Sequence, residues 1–126
     1  MKITEFLQAR IAEDEAVARA ASPGPWHTNA ESTEVLASDD IEVAEGFALS
    51  GTQLRATTEH IARYDPARVL AECAAKRAII EDWEDPEDDG VWEGYDYGCA
   101  LTTDRAARAL AAAYSDHQDY QQEWAA

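Results

Sequence analysis

The first periodic stretch of the chain is "ITEFLQARIAEDEAVARAA", residues 3–21. Ile3, Phe6, Leu7, Ile11 and Val17/Ala18 recur every three or four positions, and most positions between them are charged or alanine. That spacing predicts an amphipathic helix, with Thr4 able to cap it. "SPGP" at 22–25 ends it, because proline lacks the amide that a continuing helix needs. From 26 to 46 the period shortens towards two. Val35, Ile41 and Val43 lie in short, near-alternating runs on either side of an "SDD" turn, and Trp26 opens the first run. Two or three short antiparallel strands follow from this pattern.

Residues 47–53 read as a polar, glycine-containing connection, followed by a helix over about 54–64. "DP" at 65–66 breaks and restarts it, with Asp65 as N-cap and Pro66 as first helical residue. The new helix carries Val69, Leu70, Cys73, Ile80 and Trp83 on one stripe. Residues 84–98 read as an acidic loop. A helix from Thr103 to Tyr114 follows, and "SDHQ" at 115–118 has capping-box form for a short terminal helix reaching Trp124. The expected fold is α+β and mainly helical. It has about four helices and a small two- or three-stranded antiparallel sheet, in a single domain over 1–126. Its parts are a helix at 1–21, a small sheet at 26–46, a kinked helical hairpin at 54–83 and C-terminal helices at 103–124.

Composition adjusts this picture in two ways. Much of the 46% hydrophobic content is alanine, so tryptophan and tyrosine must supply a large share of a small core. The formal charge is −16, from 26 acids and 10 bases. Direct nucleic-acid binding needs cations to replace phosphate counterions, and anionic membranes need them too, so both are disfavoured. A basic partner, met at an electrostatically steered rate, is favoured. Between Arg19 and Arg55 there are six acids and no Lys or Arg, so the sheet is expected to present a negative outer face. Two cysteines cannot make a disulfide framework, no apolar leader opens the chain, and no run approaches the ~18 apolar residues of a membrane span. A cytoplasmic location, in a host cell, is the expectation.

Catalytic chemistry finds little support in the residues. Cys73 sits on an apolar helical stripe and reads as buried, while Cys99 stands beside acids that disfavour a thiolate. His27, His60 and His117 have no metal-ligand spacing with one another or with either cysteine. His60 is expected to pack near the Asp65 kink, and His117 to be exposed in the capping turn. Asp14, on the apolar side of the first helix, is expected to pair with Arg63 or Arg68. Arg55, Arg63, Arg68, Lys76 and Arg77 form the basic part of the middle helices. No enzyme activity and no cofactor is expected.

The stretch "EDWEDPEDDGVWEGYDYG", 81–98, holds nine acids among two tryptophans and two tyrosines. Aromatics provide anchoring area inside a charged surface. Glu84, Asp85, Glu87, Asp88, Asp89, Trp92, Glu93, Tyr95, Asp96 and Tyr97 are therefore the expected contact surface for a basic, nucleic-acid-binding host protein. The alternative is calcium. "DPEDDGVWEGYD" follows an EF-hand frame, with Asp85, Glu87, Asp89, the Val91 carbonyl, Glu93 and Asp96 as ligands. Glu at the third position, Asp at the twelfth and an exit that does not read as a helix depart from that frame. A homodimer through the alanine-rich 106–113 is a further alternative.

"EFLQARIAEDEAVARAA", "PGPW", "HIARYDPARVL" and "AAAYSDHQDYQQEW" together resemble a family of small actinobacterial and actinophage proteins, domain of unknown function 6221. The order of elements is more loosely similar to Ead-type accessory phage proteins. The resemblance implies a phage or prophage accessory role and transfers no activity. Relatives of this kind carry a His and a C-x-x-C in the region where this chain has Trp83, the acidic stretch and Cys99 alone. The resemblance thus implies that a zinc site, if the relatives hold one, is lost here.

Overall fold

A computed structural model describes residues 1–81 and 95–125, with backbone only for 95–103. The elements in order are α1 (Ile3–Ala20), β1 (His27–Thr28), β2 (Glu34–Leu36), β3 (Glu42–Glu45), α2 (Gly51–Arg63), α3 (Pro66–Ile80), α4 (Tyr95–Ala112) and a 3₁₀ turn, Gln122–Trp124. Among the described residues, four helices and a three-stranded antiparallel sheet make the protein α+β and mainly helical, as the periodicity predicts. The chain divides into two compact units, residues 1–13 with 73–126, and residues 14–72, so the boundaries fall inside α1 and α3.

The first unit is built on the α1 stripe. Ile3, Phe6, Leu7 and Ile11 are buried with Cys73, Ile80, Ala107, Ala111 and Trp124. Phe6 is the hub. Its ring centroid lies 6.3 Å from Tyr114, 5.7 Å from His117, 6.1 Å from Tyr120 and 5.1 Å from Trp124; the contacts to Tyr114, His117 and Tyr120 are edge-on and that to Trp124 is tilted. The segment "YSDHQDYQQEW" thus wraps one phenylalanine with aromatic side chains, which offsets the scarcity of large aliphatics. Arg10 is 8% exposed, 5.4 Å above the Phe6 ring, and is held by the His117 imidazole (Nη1 to Nδ1, 2.7 Å) and by Glu13 at 2.9 Å. Arg108 ties the same strap to α4 through the Glu123 carbonyl at 2.7 Å.

Several sequence expectations need correction in this unit. α1 begins at Ile3, so Thr4 lies inside it. The cap is Lys2, whose amide donates to the Glu5 carboxylate at 3.0 Å, the returning half of a capping box. His117 is half-buried and partnered, not an exposed turn residue. "SDHQ" starts no helix: the Ser115 amide donates to the Ala112 carbonyl and the His117 amide to that of Tyr114, giving successive turns. The terminal helix shrinks to the 3₁₀ turn at Gln122–Trp124. α4 starts at Tyr95, eight residues before the expected Thr103.

The second unit places α2 against β1 and β2. Val35 and Ala37 are fully buried on the inner face, with Thr58 and Ala62 of α2 also buried. α2 begins at Gly51, earlier than the expected 54, because the Ser50 hydroxyl accepts the Gln53 amide at 3.2 Å. Val17, expected on the apolar stripe beside Ala18, is 73% exposed, and Ala18 is the buried one. Ile41 is not a strand residue: it is exposed, and its carbonyl closes the β2–β3 turn on the Ala37 amide at 2.9 Å. Asp40 takes a left-handed φ of 64° in that turn, which Asp tolerates. The Asp65–Pro66 break stands as predicted, with the Arg68 amide donating to Asp65 Oδ1 at 2.8 Å.

Candidate functional site

Most of the expected contact surface lies outside the described residues. This holds for Glu84, Asp85, Glu87, Asp88, Asp89, Trp92 and Glu93, and for Val91 of the calcium set. Tyr95, Asp96 and Tyr97 form the first turn of α4, so residues 95–98 are helical rather than the end of a loop. Among the described residues, no group of three or more His, Cys, Asp or Glu could hold a metal ion. No described helix is long and apolar enough to cross a membrane.

The acidic sheet face is described. Sheet order is β1-β2-β3, with Glu34 opposite Glu45, Val35 opposite Ala44 and Leu36 opposite Glu42, the register shifting after Val35. The Gly46 amide donates to the Thr33 carbonyl at 2.8 Å. Hydrogen-bonded pairs alternate in an antiparallel ladder, so Glu34 and Glu45 form a non-hydrogen-bonded pair, the kind with the closest side chains. The Glu34 backbone faces β1 in agreement with this, exchanging hydrogen bonds with Asn29. With Val35 inward, Glu34, Glu45, Leu36 and His27 share the outer face. His27 Nε2 stands 3.2 Å from Asp40 Oδ1. Phe47 and Leu49, just beyond β3, are 87% and 97% exposed, the highest values among the large apolar side chains described.

A second feature was not foreseen from sequence. A pocket of about 310 Å³ is lined by Asp14, Val17, Ala18, Ala21, Trp26, Tyr64, Pro66 and Val69, all of the second unit. Asp65 organises it. Its carboxylate is 6% exposed, with Oδ2 accepting the Trp26 amide at 2.9 Å and Oδ1 the Arg68 amide. The Trp26 indole N–H donates to the Ser22 carbonyl at 3.0 Å. Gly24 lets the chain pass close to α3, since a Cβ there would meet the Ala67 Cβ at 3.0 Å and Asp65 Oδ2 at 3.2 Å. His60 packs on Tyr64, as expected near the kink, with ring centroids 4.7 Å apart. The Arg68 guanidinium lies 4.4 Å from the Tyr64 ring centroid and pairs with Glu72 at 3.0 Å. The hydrogen bond to Glu72 chiefly, with the Tyr64, Glu72 and Asp65 charges, raises its pKa above the ordinary arginine value. Arg68 therefore stays cationic at any working pH.

The geometry defines an acidic, mainly helical α+β protein with a charged sheet face and a small aromatic pocket. The chain belongs to the Family of unknown function (DUF6221), whose sequence model matches residues 1–126. No curated protein and no solved structure matches it significantly.

Proposed function

We propose that the protein is a non-enzymatic interaction module, of phage or prophage accessory type, that binds a basic host protein through its acidic surfaces. The observation that carries this reading is the Glu34–Glu45 pair. Like charges directly opposite each other weaken a sheet. Glu42 and Asp40 add to the same region, both exposed. A partner's lysines and arginines relieve that repulsion on binding. Phe47 and Leu49 supply apolar anchoring area beside the carboxylates. A nucleic-acid-binding protein is the natural target, since rows of carboxylates can stand in for phosphates. The cytoplasm of the host is where such a target is met.

The test is capture of a basic host protein on the immobilised chain at low salt, repeated with the Glu34→Gln/Glu42→Gln/Glu45→Gln variant. Retention that falls with salt and with the triple variant supports the proposal. Equal retention by the variant, or none by the native chain, removes it.

One observation favours a second reading, calcium binding through Asp85, Glu87, Asp89, Val91, Glu93 and Asp96. α4 begins at Tyr95, so Asp96 stands in the first helical turn, as the last ligand of an EF-hand loop does. A native-state ligand must raise the melting temperature. An unchanged melting temperature in excess calcium rejects this reading.

A further inference from the structure

We propose that the open edge of β3 takes up an extended basic segment of a protein as a fourth, antiparallel strand. This rests on the reading that the acidic surfaces bind a basic protein, and it names the form in which that protein is bound.

The backbone of β3 points to this mode. β3 ends the sheet order, so among the described residues no strand lies beyond it. The Ala37 amide donates to the Ile41 carbonyl at 2.9 Å, and the Gly46 amide to the Thr33 carbonyl at 2.8 Å. Hydrogen-bonded and non-hydrogen-bonded pairs alternate along an antiparallel ladder. The neighbouring pairs, Leu36 with Glu42 and Glu34 with Glu45, are therefore non-hydrogen-bonded. Glu42 and Glu45 thus turn their amides and carbonyls away from β2, towards the open edge.

A β-bulge creates this arrangement. Residues three apart on a regular strand face opposite sides. Here the register shifts between Val35 and Leu36, leaving Val43 as an extra residue between Glu42 and Ala44. Glu42 and Glu45 then both share the outer face, opposite Leu36 and Glu34, which are two positions apart on β2. A regular incoming strand meets the two glutamates at its own positions i and i+2.

Charge and apolar area choose the occupant. Both glutamates are exposed, and among the described residues no cation answers either carboxylate. Charges on an edge strand deter pairing with another chain. A second copy of this protein would bring the same glutamates, and like charges across a ladder repel. A strand with Lys or Arg at i and i+2 reverses that sign. Phe47 and Leu49 follow β3 directly and are 87% and 97% exposed, so a segment reaching past Glu45 has apolar area to cover. In its own direction the segment reads apolar-x-basic-x-basic. Its backbone bonds supply affinity and its alternate side chains supply specificity.

The test uses the full chain and a capped heptapeptide, Thr-Leu-Thr-Lys-Val-Arg-Thr, at low salt. Calorimetry is expected to show one saturable site, and NMR a slowed hydrogen exchange at the Glu42 and Glu45 amides. The same peptide N-methylated at its Lys and Arg amides keeps both charges and loses the strand's donors. It is expected to bind about tenfold more weakly. Glu45→Gln and Glu45→Pro both lose the carboxylate, but only the proline loses the edge N–H. No ladder bond uses that N–H, so proline is compatible with the fold there, and an unchanged melting temperature checks this. The peptide is expected to bind Glu45→Pro about fivefold more weakly than Glu45→Gln. Equal affinity of the N-methylated peptide, or fast exchange of both amides at saturation, overturns the proposal and leaves the acidic-surface reading standing, since charge alone then suffices. Absence of saturable peptide binding overturns it too. Slowed exchange of these amides in the chain alone, growing with its concentration, assigns the edge to a second copy and also overturns it. Peptide bound at the edge without capture of any basic host protein supports the strand-accepting edge and removes the host-protein reading alone.

Discussion

One carboxylate of Asp65 caps α3 at Arg68 and holds the Trp26 amide, so the helix restart and the placement of the tryptophan depend on a single side chain. Asp65→Ala leaves both amides without that partner and is expected to cost about 2–4 kcal/mol, combining a lost cap with a lost charged hydrogen bond. Asp65→Asn keeps one side-chain oxygen and should cost roughly half as much. Urea unfolding of the three proteins checks this, and equal stability of Asp65→Ala and the native chain would contradict it.

Gly46 is where β3 leaves the sheet beneath α2. A Cβ there would collide with the Thr58 hydroxyl and come within 2.8 Å of Leu54 Cδ1. Thr58 is fully buried and donates to the Leu54 carbonyl at 2.8 Å, so it cannot easily move away. Gly46→Ala is expected to destabilise by about 1–3 kcal/mol, as overpacking does. Adding Thr58→Ala should restore part of the loss. Denaturation of the single and double variants reads the coupling, and strict additivity would rule out this clash.

The acidic sheet predicts the opposite sign. Glu45→Gln removes the like charge facing Glu34 and is expected to stabilise the protein by roughly 0.2–1 kcal/mol. The gain should shrink as salt rises, because both groups stand near solvent. Melting curves at low and high ionic strength measure it. A loss of stability at low salt would mean that Glu45 has a structural role.

What the sequence made legible was local chemistry. The i, i+3, i+4 spacing located α1, and seven residues after Ile11 the 3.6 period returns to Ala18, leaving Val17 off the stripe and exposed. The Asp65 cap and Pro66 follow from backbone rules that need no tertiary context. The early start of α4 was hidden because "YDYGCALTT" has weak helix propensity, which tertiary context overrides. The pocket was hidden for a different reason: Asp14, Trp26 and Tyr64 are far apart in sequence, and nothing in the local pattern of any one of them points to the others. Composition alone marks the 81–98 stretch, whereas in the sheet the cross-strand pairing gives the acidic charges a geometry.

His117 shows the same difficulty with distance, since its partner Arg10 lies 107 residues away. Arg10 is a buried cation on an aromatic hub, and its Nε has no hydrogen-bond partner among the described residues. Its carboxylate partner, Glu13, has a side chain 60% exposed, so removing the arginine strands no buried negative charge. The main worth of Arg10 is then the packing of its stem and guanidinium on Phe6. Arg10→Met keeps most of that volume and removes the cost of burying the charge, so it should change stability by less than about 1 kcal/mol in either direction. Arg10→Ala leaves a gap beside Phe6 and should cost about 2–3 kcal/mol. Urea unfolding with both variants separates the two contributions: a loss with Arg10→Met as large as with Arg10→Ala would show that the charge and its bond to His117, not the packing, hold this end of the protein together.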